Sequence, residues 1–100
     1  MKERIECVIS GRVQGVMFRD FVQRKAAKLG IVGTVQNRPD GTLCVVAEGD
    51  NAQLEIFISL LKKGPLFAKV ESTQIKHYPP SNSFSDFTII YNNKIVVMNQ

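Results

Sequence analysis

RIECVIS (residues 4–10) running into GRVQGVMFRD (residues 11–20) is the stretch whose reading decides the fold. Its first seven residues alternate apolar and polar, as a half-buried strand should. From Phe18 the period changes. Phe18, Phe21, Val22, Ala26 and Leu29 recur at helical spacing, with Gln23, Arg24, Lys25 and Lys28 off that face. Gly30 supplies a stop signal for this helix. A strand therefore enters a helix through a short loop punctuated by Gly11 and Gly15. Arg19 is the anomaly, because it falls in the first helical turn, where the backbone already carries partial positive charge. Something negative belongs between the loop and that arginine.

The remaining elements are read outward from this unit. IVGTVQN (31–37) reads as a strand, NRPDGT (37–42) as a turn and LCVVAEG (43–49) as the returning strand. The hairpin loop is longer than the tight two-residue type. Asp50 or Asn51 can cap a second helix, in which Leu54, Phe57, Ile58 and Leu61 fit the i, i+3, i+4, i+7 template. Gly64–Pro65 ends it. AKVESTQIKHY (68–78) is a fourth strand candidate, PPSNS (79–83) a turn-rich connector and FTIIY (87–91) a short fifth strand. This order is the α+β, ferredoxin-like βαββαβ pattern. It predicts two helices on one face of a four- to five-stranded antiparallel sheet, with the other face toward water. Residues 1–91 form the expected domain. The final NNKIVVMNQ (92–100) is an extension that reads equally as an edge strand, a contact with another chain or a tail.

One hundred residues make one small domain, and a hydrophobic content of 44% is enough for a single core. No apolar run approaches the ~18 residues that a membrane span needs. The N-terminus MKERIECVIS has no apolar signal-peptide core. A cytoplasmic protein without membrane association is the expectation. Thirteen Lys and Arg against nine Asp and Glu give a net charge of +4, which suits an anionic partner. The charge is spread along the chain, with no basic run of the nucleic-acid-binding kind. Cys7 shares a strand face with Ile5 and Ile9, whereas Cys44 lies opposite the apolar face of Leu43, Val45 and Ala47. The two thiols should point to opposite sides of the sheet and remain free.

The loop carries the chemistry. Glycines let its backbone fold back, so that the N–H groups of Gln14, Gly15, Val16, Met17 and Phe18 face one concavity at a helix N-terminus. Arg19 would add a guanidinium fork suited to phosphate oxygens. Spacing alone leaves a blander reading open, a structural turn with Arg19 reaching a surface carboxylate. The loop lacks the GK[ST] ending of a Walker motif. His77 is the only histidine, so a histidine-based metal cluster is excluded, and no metal or cofactor is expected. No serine sits in a nucleophile elbow and no carboxylate pair has acid–base spacing. Asn37 is a second polar candidate, but asparagine beside a turn is commonplace. An RNA-binding module is disfavoured, because RIECVIS presents no aromatic residue for base stacking and LCVVAEG offers only Cys44, Val46 and Glu48.

Two segments together resemble the acylphosphatase family. GRVQGVMFR matches the signature GxVQGVxFR that leads into the first helix, and GTVQNRPDG (33–41) is similar to the second signature, GxVxNxxDG. LCVVAEGD (43–50) stands where the family has a strand ending in EGD, and KKGPLFAKV (62–70) resembles its Gly-Pro segment. The resemblance covers about residues 5–91. It implies metal-free hydrolysis of small acyl phosphates to carboxylate and inorganic phosphate, with phosphate as product or inhibitor. It places the catalytic arginine on Arg19 and the catalytic, water-holding asparagine on Asn37, with the phosphoryl oxygens on the N–H groups of residues 14–18. Thr34 departs from an aromatic common in the family, Gln36 from a frequent basic residue, and Met17 lies in a variable slot. A monomer is expected, with association through the tail left open. The alternative is a non-catalytic module of the same family that holds phosphate or carbamoyl phosphate.

Overall fold

The computed structural model describes residues 1–91. The proposed extension, residues 92–100, lies outside the described residues. Seven elements follow in chain order: β1 (Lys2–Arg12), α1 (Phe18–Leu29), β2 (Val32–Asn37), β3 (Leu43–Asp50), α2 (Asn51–Lys63), β4 (Lys69–Tyr78) and β5 (Phe87–Ile90). The sheet order is β4-β1-β3-β2-β5. β3 lies between β1 and β2, and β1 lies between β3 and β4, so two βαβ units interleave as expected.

The alternating positions account for the core. Ile5, Cys7 and Ile9 of β1 are fully buried beside Leu43, Val45 and Ala47 of β3. They meet Phe18, Val22 and Ala26 of α1 and Leu54, Phe57 and Leu61 of α2. The two helices also touch each other, which puts them on the same face of the sheet. Gly30 ends α1 in the left-handed region, and its N–H donates back into the last turn. Asp50 occupies the capping position of α2, but its side chain makes no capping bond. Cys7 and Cys44 are free thiols, as the alternation requires. Burial, with Cys44 nearby, pushes the Cys7 thiol up to about 12, so it stays protonated in the core.

One expectation is corrected. The sheet is mixed, because among the described residues β5 pairs parallel to β2 while the other pairs are antiparallel. β3 and β4 both run antiparallel to β1, so both finish at the same end of the sheet. The connector from Tyr78 crosses that end, and the chain can only return along the far edge in the direction of β2. The crossing also explains Glu48, which the strand alternation assigns to the open face. Glu48 is only 3% exposed, because Ser81 and Asn82 of the connector fold over its carboxylate.

Candidate active site

At the opposite end of the sheet, β1, β2 and β5 all terminate and α1 begins. This topology brings Asn37 to the first loop, an approach that residue spacing did not reveal. A cleft of about 350 Å3 opens there, lined by Val13, Gly15, Met17, Phe18, Arg19, Asp20, Asn37, Ile89 and Tyr91. Of the expected site residues, Gly15, Met17, Phe18, Arg19 and Asn37 line this cleft, whereas Gln14 and Val16 do not.

The loop is shaped by its backbone. Gly15 at φ 75° and Met17 at φ 62° are both left-handed, on either side of Val16. Alternation of this kind turns successive N–H groups toward a common concavity suited to an anion. Met17 occupies the N-cap position of α1 without a side-chain cap, so the first N–H groups of the helix remain available to a ligand. Among the described residues, no turn or loop hydrogen bond takes up the N–H groups of residues 14–18. The Met17 side chain is 72% exposed and does not pack under the loop.

Gln14 plays a part that its position alone did not suggest. Its Nε2 donates to Arg38 O at 2.9 Å and to Thr42 O at 3.0 Å. One side chain thereby ties the first loop to both flanks of the β2–β3 turn, next to Asn37. The turn is itself braced, since Thr42 N and Oγ1 both donate to Asp40 Oδ1. These bonds hold the Asp40 carboxyl below the usual carboxylate range. The only sequence signal was the glutamine between Val13 and Gly15, and polar loop residues seldom announce their partners.

Arg19 is half-buried, and its guanidinium lies 5.0 Å from the centre of the Tyr91 ring, a cation–π arrangement that orients it across the cleft. Among the described residues no carboxylate pairs with it. The neighbouring Asp20 is engaged by Arg24 at 2.9 Å. Its negative charge is therefore partly compensated beside a cleft that suits anions. Tyr91 was missed because it lies far away in sequence, immediately after β5. Among the described residues no group of His, Cys, Asp and Glu is arranged to hold a metal ion. No helix there is long and apolar enough to cross a membrane.

Comparison with known proteins points to one family. The acylphosphatase family model matches residues 5–89. An acylphosphatase of Thermus thermophilus is 47% identical over 73 residues, spanning 73% of this chain and 83% of that protein. The crystal structure of acylphosphatase from Bacillus subtilis superposes with a TM-score of 0.86 at 36% identity, covering 89% of this chain and 99% of that one. Full-length HypF in its phosphate- and nucleotide-bound form contains a similar region. The TM-score is 0.82 at 28% identity, over 92% of this chain but only 12% of HypF.

Proposed function

The chain belongs to the acylphosphatase family and has that family's activity, hydrolysis of an acyl phosphate with release of inorganic phosphate; from this premise we propose how its residues perform the reaction. Arg19 and the N–H groups of residues 14–18 bind the phosphoryl oxygens. Asn37 holds a water in line with the phosphorus. The observation that carries this reading is the convergence of Arg19, Asn37 and the left-handed loop on one cleft at the start of α1. The dianionic phosphate also resolves the anomaly of Arg19, since it sits against both the guanidinium and the helix N-terminus.

The water oxygen forms a bond to phosphorus as the bond from phosphorus to the acyl oxygen breaks. A carboxylate leaves, already stable at neutral pH, so no general acid is required. The water's proton passes to a phosphate oxygen. Phosphoryl transfer demands little covalent work from the protein, and positioning and charge stabilisation carry the rate. The reading includes a monomeric cytoplasmic enzyme, which the two free thiols suit.

The test is hydrolysis of benzoyl phosphate with EDTA present by the wild type, Arg19→Ala and Asn37→Ala. Fast wild-type turnover is expected, falling roughly 10²–10³-fold when either donor is removed. Wild-type turnover that needs an added metal ion, or that survives both substitutions, refutes the assignment. Phosphate binding without turnover would instead identify the alternative, a non-catalytic binding module.

A further inference from the structure

Beside the cleft, on the other side of the first loop, runs a larger groove of about 740 Å3. Its apolar walls come from Met17, Phe21, Leu66 and Phe67, and its charged residues, Arg24 and Lys63, are both cationic. Leu66 and Phe67 are 86% and 73% exposed. They occupy the two central positions of a turn closed by Ala68 N–H donating to Pro65 O at 3.1 Å. Turn centres usually hold Gly, Asn, Asp or Ser. Two large apolar side chains held out there add nothing to the core, and clustered apolar exposure marks a surface that meets a ligand.

The occupant is indicated by continuity with the cleft. Gly15 and Met17 line both cavities, whereas Asn37 lines only the cleft. In-line attack from the Asn37 side sends the leaving group the opposite way, over the loop. We propose that this groove is the acyl-group subsite, and that Leu66 and Phe67 make the enzyme prefer bulky apolar acyl groups to small ones. The proposal rests on the in-line mechanism above. Arg24 is already paired with Asp20, so the Lys63 ammonium is the lining charge that suits a leaving group departing as a carboxylate.

The experiment compares kcat/KM for benzoyl phosphate and acetyl phosphate in the wild type and in the double variant Leu66→Ser, Phe67→Ser. Both side chains are exposed, so the fold should tolerate the change. The expected result is a fall of roughly tenfold for benzoyl phosphate, the order expected for losing an apolar contact, with acetyl phosphate within twofold of wild type. An unchanged ratio between the two substrates overturns the proposal. An equal loss on both substrates does so too, because the turn would then merely support the loop. If the groove serves a second copy of the chain, the wild type sediments as a dimer, the variant as a monomer, and the ratio stays put. That outcome also overturns it. Failure of the underlying mechanism is separately visible, since turnover of acetyl phosphate would then survive Asn37→Ala in the otherwise unchanged chain.

Discussion

At position 19 a lysine would carry the same charge as arginine without the planar fork, and the placement of the guanidinium 5.0 Å from the Tyr91 ring makes the difference measurable. Arg19→Lys is expected to lose most of the activity, roughly 10²-fold in kcat/KM, because a point charge cannot take two phosphate oxygens in parallel or keep the stacked orientation. Tyr91→Ala should act more mildly, roughly two- to fivefold, the order of one exposed cation–π contact. Steady-state kinetics on benzoyl phosphate checks both. A Tyr91→Ala loss as large as that of Arg19→Lys would mean that Tyr91 touches the substrate. Arg19 was legible in the sequence because a cation in a first helical turn breaks a local rule. Tyr91 breaks none, and only its distant neighbour gives it meaning.

Elements meet at two places on which the site depends. The first is Gln14, which bonds to the carbonyls of Arg38 and Thr42 and so couples the loop before α1 to the β2–β3 turn. Gln14→Ala is expected to lower kcat more than it weakens inhibition by phosphate. The phosphate-binding loop remains, while Asn37 loses its register against it. Phosphate inhibition constants measured beside kcat decide the point. The second is Gly11, at φ 125° where the β1–β4 pairing slips by a bulge. A Cβ there would lie 2.1 Å from Lys69 O. Gly11→Ala should destabilise the fold by about 1–3 kcal/mol from backbone strain alone, with the clash in addition, read as a lower denaturant midpoint. A glycine in the motif was visible from the start, but the close approach of β4 that demands it was not.

The whole molecule closes around Glu48. Burial alone would raise its pKa, but hydrogen bonds from the Ser81 side chain and from Ser81 and Asn82 N–H, with the charge of Arg4, outweigh this and hold it below the ordinary 4.5. A carboxyl group lowered by folding contributes stability that is fully present above its unfolded value and is lost as the pH falls through its folded value. The stability difference between the wild type and Glu48→Gln should therefore be largest near neutral pH and shrink progressively below pH ~4.5. Urea unfolding across pH 2–7 tests this, and a pH-independent difference would show that the carboxylate charge is irrelevant to the closure. The contact ties the β4–β5 connector to the end of β3, and that path sends β5 back parallel to β2 and brings Tyr91 to the cleft.

Local pattern determined a good deal by itself. Period-two and helical spacing in RIECVIS and in the run from Phe18 delivered the elements, their order and the inward residues, because side-chain direction follows from backbone geometry one residue at a time. Two glycine-bearing segments of specific spacing carried the resemblance to the family, and that resemblance pointed to Arg19 and Asn37 as candidates. Only the tertiary structure decided that Asn37 stands beside the loop, that Gln14 ties the two segments together and that β5 runs parallel. It also decided that Glu48 is covered and that Leu66 and Phe67 line the groove beside the cleft. Each of these depends on which strand ends and connections meet at each end of the sheet. That is a property of chain crossings over tens of residues, and local periodicity carries no record of it.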